Sequence, residues 1–177
     1  MQYRRSDIAG GTYFFTVNLA ERKRTLLVDH ADILRTVIRK VKEKHPFDVD
    51  AMVVLPDHLH MSWTLPKGDN DFPTRMMLIK AGFSRLVEKG EYQSASRLSK
   101  GERGIWQRRY WEHLIRNEQD FADHVKYIHY NPVKHGYAAR ASDWKYSSIH
   151  RYIKAGILNA DWGCDELVSK NGKFGER

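Results

Sequence analysis

One stretch constrains this chain more than any other, V-V-L-P-D-H-L-H-M-S-W-T-L from Val53 to Leu65. On a β-strand, side chains i and i+2 share a face. Leu59, Met61, Trp63 and Leu65 therefore take one side of a sheet, and His58, His60, Ser62 and Thr64 take the other. A helix would scatter the same residues around its axis. The apolar side has to be covered by helices, while the polar side presents two imidazoles whose nitrogens can converge on one metal ion. Nine histidines in 177 residues give roughly half an H-x-H pair by chance, so the pair acquires meaning only from its surroundings.

Upstream, the Gly10-Gly11 turn leads into T-Y-F-F-T-V-N-L, where Tyr13, Phe15, Val17 and Leu19 alternate with Thr12, Phe14, Thr16 and Asn18. This is a first strand, and Phe14, an aromatic on its polar side, has the form of a base-stacking residue. Asp29, with Asp32 three residues on, caps a helix whose stripe is Ile33, Leu34, Val37, Ile38 and Val41. Its basic side reads as a solvated face. His45-Pro46 stops that helix; then Phe47, Val49, Ala51, Val53 and Leu55 alternate with Asp48, Asp50, Met52 and Val54 as a second strand. Pro56-Asp57 turns it into the histidine strand. Phe72-Pro73 opens a second helix lined by Met76, Ile79, Phe83, Leu86 and Val87. The long connection Gly90 to Gly104 places Arg97, Lys100 and Arg103 where they could meet a nucleic acid, and Ile105 to Ile115 supplies a last strand. The order strand, helix, strand, strand, helix, strand predicts an α+β fold, a ferredoxin-like or RNA-recognition-like antiparallel sheet packed with helices.

Asn117 caps a late helix, with Asp120 at the fourth position, that Pro132 ends or kinks after Asn131. Its stripe is Phe121, Val125 and Ile128. At about 100° per residue, Tyr127 lies roughly 120° around from that stripe, on the flank of His124 and Asn131. Tyr127 and Asn131, one turn apart, can point at the same place; Tyr130 is a second tyrosine nearby. Ser142 to Tyr152 reads as a turn and short helix packing Trp144 and Tyr146, and Gly163 to Arg177 is polar. The expected organisation is one domain over residues 1–162 with a C-terminal tail over 163–177.

Thirty Lys and Arg against 22 Asp and Glu leave a net charge of +8, which favours polyanionic partners, nucleic acid first. Arg4 and Arg5 make the start of the chain basic. The single cysteine, Cys164, excludes an internal disulfide and a C-x-x-C zinc site. No apolar run reaches the ~18 residues of a membrane span, and M-Q-Y-R-R-S-D contains no signal core, so the expected location is a reducing cytoplasm.

Taken together, P-D-H-L-H in the central strand and Y-I-H-Y-N-P on the late helix resemble the HUH single-stranded-DNA transposases. The N-terminal Y-R-R and G-G-T-Y-F-F-T-V-N-L resemble the REP-associated tyrosine transposases, and the similarity runs from about Tyr3 to Tyr152. The resemblance implies an HUH-type core with a late catalytic helix and a C-terminal extension. It implies His58 and His60 as metal ligands, Asn131 as a third, Tyr127 as nucleophile, and Mg²⁺ or Mn²⁺ as the ion. It also implies nicking and strand transfer on hairpin-forming single-stranded repeat DNA through a 5′-phosphotyrosine, by a monomer, although related insertion-sequence enzymes are dimers. Two other readings stand beside it. In one, a metal-dependent phosphodiesterase uses water and Tyr127 only orients the phosphate; in the other, an RNA-recognition-like module binds through Phe14 and does not cut.

Overall fold

The computed structural model describes residues 8–163. Arg4, Arg5, Cys164 and nearly all of the C-terminal tail therefore lie outside the described residues. Alternation becomes strand where it was read: β1 (Thr12–Asn18), β2 (Asp48–Val54) and β3 (His58–Thr64) are joined by a short β4 (Trp111–Leu114) in the antiparallel order β2-β3-β1-β4. The helices are α1 (Leu26–Asp29), α2 (Ala31–Lys44), α3 (Phe72–Leu86), α4 (Ala95–Leu98), α5 (Glu118–Lys134) and α6 (Ile149–Lys154). This is the expected α+β order of strands and helices with one layer added. Tyr13, Phe15, Val17, Leu59, Met61 and Trp63 pack against α2 and α3 on one face of the sheet. The opposite face, read as the polar side of the sheet, is covered by α5, with Val125, Tyr127 and Ile128 against Phe14, Ala51, Val53 and Leu55. On the first face α2 and α3 approach so closely that a Cβ at Gly82 would sit 2.7 Å from Val37 Cγ1. Among the described residues no helix is long and apolar enough to cross a membrane.

The single alternation read through β2 fails at Asp50. Val49 pairs with Trp63 and Ala51 with Ser62, so Asp50 is an extra residue that reverses the parity of the strand. Phe47 and Val49 belong with the α2–α3 side, as do Met52 and Val54, whereas Ala51, Val53 and Leu55 face α5. Three groups brace the bulge: Thr64 Oγ1 donates to the Asp50 carboxylate at 2.9 Å, and Tyr152 Oη (2.9 Å) and the Arg151 guanidinium donate to its carbonyl.

Four other boundaries differ from the sequence reading. Asp29 ends α1 rather than capping α2, its carboxylate accepting from Thr25 Oγ1 at 2.6 Å. The last strand is Trp111–Leu114 instead of Ile105 to Ile115: the run still meets the end of β1 where Trp106 bridges Leu19, then breaks at Gln107 and Arg108, whose carbonyls accept from Lys80 Nζ at 2.8 and 3.2 Å. The Gly90 to Gly104 connection contains α4. Finally, α5 continues through Pro132 to Lys134. A proline there lacks only the amide that would bond to Ile128, and the His135 amide still reaches the Asn131 carbonyl at 3.0 Å.

Beyond α5, residues 144–152 close the outer edge of β2. Val54 N donates to Tyr146 O (2.9 Å), Ser148 N to Met52 O (2.8 Å) and Trp144 Nε1 to Val54 O (2.9 Å), which occupies backbone groups that an edge strand otherwise leaves open. His129, fully buried on α5, joins this seam through Nε2 and Ser148 Oγ at 2.9 Å. Burial, with Arg151 and His150 nearby, pushes the His129 imidazole down to about 4 from the usual 6.5. The unfolded chain therefore binds the extra proton first as pH falls. The stabilisation from neutral His129 is complete above about pH 6.5 and is lost as pH drops through about 4, to the extent of about 3 kcal/mol. In urea denaturation at pH 7 and at pH 4.5, His129→Gln should lose less stability on acidification than the parent chain. Equal losses would show that the seam is not the acid-sensitive element.

Candidate metal and nucleophile centre

Strand β3 places His58 and His60 on the α5 side of the sheet, opposite Asn18 and Thr16 of β1. Both rings are fixed through Nδ1. His58 Nδ1 bonds to Asp57 Oδ1 at 2.7 Å, and His60 Nδ1 to Thr16 Oγ1 at 2.9 Å. A carboxylate only accepts, so His58 carries its proton on Nδ1, and Nε2 is the lone-pair nitrogen, the one a cation takes. The two rings stand 5.0 Å apart and nearly perpendicular. Asp57 is itself anchored, pairing with the Arg22 guanidinium, which also donates to Asn18 Oδ1 at 2.9 Å. Burial raises the Asp57 acid, but the hydrogen bonds from His58 and Arg22 outweigh it and hold the carboxyl at about 2. A carboxylate behind an imidazole is the usual support of a metal-bound histidine.

From the other side α5 brings Tyr127 and Asn131, 2% and 0% exposed. The Tyr127 ring meets His60 edge-on, with centroids 5.2 Å apart. The reading that set Tyr127 off the buried stripe is corrected here, because α5 is covered on two sides. The sheet takes one side and the residues 144–152 segment the other, so a wide arc that includes His124, Val125, Tyr127, Ile128, His129 and Asn131 is buried. Lys134, two turns beyond Tyr127 on the same line of the helix, donates from Nζ to the phenol oxygen at 3.1 Å and lies 4.8 Å from the ring centroid. His135, at the C-cap, sets its ring 5.2 Å from His58. Two imidazoles with supported Nδ1 atoms form a donor pair that suits a divalent cation, and Asn131 is buried on the helix that faces them.

The structure thus gathers His58, His60 and Tyr127 between one strand and one helix, with Asn131 buried one turn further along that helix. Sequence reasoning missed three contributors. Asp57 directly precedes the histidine pair and was read only as a turn residue. Thr16 was assigned to the right face of β1, without a partner. Lys134 lies seven residues after Tyr127, a spacing that signals a shared helical face, and was hidden by ending the helix at Pro132. The expected nucleic-acid contacts fare differently. Phe14 is 0% exposed, its ring 5.5 Å from His60 and 6.1 Å from Tyr127, so it is packing beneath the site instead of a stacking platform. Arg103 is spent on the end of α3, where it donates to the Val87 and Glu88 carbonyls at 2.6 and 2.9 Å and pairs with Glu91 at 2.5 Å. Arg97 donates to the Trp106 carbonyl at 3.1 Å. Of the three cations in that connection, Lys100 is the exposed one.

Comparison with known proteins bears on the same residues. A family model described as "Transposase IS200 like" matches residues 10–131, a span that contains the histidine pair, Tyr127 and Asn131. A REP-associated tyrosine transposase of Escherichia coli (strain K12) is 46% identical over 164 residues, covering 93% of this chain and 92% of that protein. A solved structure of a REP-associated tyrosine transposase bound to a REP hairpin superposes with a TM-score of 0.85 at 44% identity, covering 100% of this chain and 98% of that one.

Proposed function

The chain belongs to the IS200-like transposase family, and from that membership we propose that it nicks and rejoins single-stranded, hairpin-forming repeat DNA of the REP type. Tyr127 is the nucleophile, and His58, His60 and Asn131 hold Mg²⁺ or Mn²⁺. The observation that supports this reading is the contact of the Tyr127 ring with His60 while Lys134 holds the phenol oxygen. The attacking atom and the paired imidazoles thereby share one buried corner. When bound, the divalent cation supplies positive charge to a non-bridging phosphate oxygen.

The chain's own groups do the rest. Asp57 and Thr16 keep the two Nε2 atoms aimed, and the ring contacts with His60 and Phe14 limit the swing of Tyr127. The phenol oxygen attacks phosphorus and loses its proton; the bond to the 3′-oxygen breaks, and that oxygen takes up a proton. A 5′-phosphotyrosine remains, and a 3′-hydroxyl of another strand can attack it to regenerate the phenol. Lys134 steadies the phenol oxygen as its proton leaves. The net charge of +8 favours the DNA partner.

Replacing that ammonium should slow chemistry more than binding. Lys134→Met is expected to reduce single-turnover adduct formation by roughly 10- to 100-fold, and Lys134→Arg to restore most of it. A Met variant that reacts at the parental rate would remove Lys134 from the site.

The RNA-recognition-like alternative loses its platform, since α5 covers the sheet face that would bind bases and Phe14 is buried under it. The deciding experiment incubates hairpin oligonucleotides, labelled at one end or the other, with the protein and Mn²⁺, followed by denaturing electrophoresis. A protein band carrying the 3′-end label is the expected product. Cutting without an adduct would favour the water nucleophile, and absence of cutting would defeat the enzyme reading.

A further inference from the structure

A second set of ligand-type side chains lies where β4 meets the first turns of α5, ahead of Tyr127. His113 of β4 and Asp120 and His124 of α5 bring one donor atom each to within 4.8 Å of one another. Asp120 is the hub. Its carboxylate meets His113 Nε2 at 2.9 and 3.1 Å and His124 Nδ1 at 3.1 Å, and it accepts the Arg116 amide at 2.9 Å. His124 Nδ1 also lies 2.8 Å from the Asp120 carbonyl. The two imidazoles stack at 4.6 Å, only 14° from parallel, between Trp111 on one side and Phe14 on the other.

Helix capping accounts for part of this arrangement but not for the imidazoles. Asn117 caps α5 through the Asp120 amide, and one Asp120 oxygen takes the Arg116 amide. Neither contact requires two histidines converging on the same carboxylate. Burial lowers the His124 imidazole from its usual value, which keeps it neutral near pH 7. Burial raises the Asp120 acid, but hydrogen bonds from His113 and the Arg116 amide hold it below the usual carboxylate value, which keeps it ionised. A carboxylate facing two imidazoles, walled by aromatic rings, is an anionic donor set of mixed nitrogen and oxygen character. The side chains of His113 and Asp120 keep 18% and 19% of their surface, so an ion can enter from solvent.

We propose that His113, Asp120 and His124 form a second cation site, of zinc-class selectivity, that pins β4 to the first turns of the nucleophile's helix. It is separate from the His58–His60 pair, because the Phe14 ring stands between them, 4.7 Å from His124 and 5.5 Å from His60. Binding needs no net loss of charge on the rings. Each imidazole would bind as the tautomer that carries its proton on the nitrogen turned away from the ion, and the carboxylate supplies the anionic ligand. Three protein donors leave one position of a tetrahedral ion for water.

The test counts ions on the untagged full-length chain, stripped with chelator and titrated with Co²⁺, whose visible absorption reports nitrogen-rich coordination, and with Zn²⁺ by calorimetry. The variant His58→Ala/His60→Ala isolates the new site and is expected to keep about one equivalent. Adding His113→Phe, which preserves a ring between Trp111 and His124, should abolish that binding, with far-ultraviolet circular dichroism confirming the fold. His124→Phe, against Phe14, repeats the test from the other ligand if His113→Phe does not fold. The proposal is overturned if the folded His58→Ala/His60→Ala chain binds no ion, or if it binds equally with and without His113 and His124. Failure of the DNA-cleavage reading would appear in the adduct assay and leave this count unchanged.

Discussion

Tyr127→Phe should fold, bind DNA and hold metal much as the parent does, yet form no covalent adduct. The substitution removes one oxygen and keeps the ring that packs on His60 and Phe14. Its cost to stability is the lost bond from Lys134, on the order of 1 kcal/mol. Because the ring is 2% exposed, Phe is the right replacement; Ala would open a cavity under α5 and confuse loss of chemistry with loss of fold. Cleavage should fall by roughly 10³-fold or more, since the phenylalanine ring has no atom that can attack phosphorus. The measurement is adduct formation on a hairpin oligonucleotide. Persistent cutting would point to water, and an adduct mapped to Tyr130 by peptide analysis would move the nucleophile without changing the chemistry.

The second large effect belongs to the histidines. His58→Ala and His60→Ala should each remove metal-dependent cleavage, by roughly 10²-fold or more, because two neutral nitrogens are the strongest donors the site offers. These changes also touch packing, which the sequence did not lead one to expect. His58 and His60 are 1% and 0% exposed, and His60 stacks on Phe14. A loss of about 1–3 kcal/mol should accompany each change, so rates have to be compared below the melting transition of the weaker variant. Normal cutting by either variant at saturating Mg²⁺ or Mn²⁺ would show that the pair is not the metal site.

How much of this was legible beforehand depends on what kind of residue carries the information. Leu59, Met61 and Trp63 alternate without interruption, so their strand, its buried face and the side taken by the histidines all followed from period alone. β2 resisted because a bulge leaves no mark in composition: Asp50 looks like any polar residue in an alternating run until Val49 and Ala51 are seen to pair with the consecutive residues Trp63 and Ser62. Lys134 was lost to a rule applied too firmly. A proline disrupts a helix most in its interior, and Pro132 sits in the final turn of α5, where only one amide bond is missing. Arg97 and Arg103 looked like surface charge because sequence does not show which carbonyls at a helix end lack partners. The widest gap was α5. A helix buried on two sides has no single stripe, so the flank shared by Tyr127, His124 and Asn131 was read as lying off the core although it is buried.

The contact between Tyr127 and His60 is made within one polypeptide. On the proposed function, nucleophile and imidazoles reach DNA on one chain, and the expected result is that a single copy completes the chemical step. The cutting rate per molecule should be independent of protein concentration, so that a cell holding very few copies would nick as efficiently, copy for copy, as one holding many.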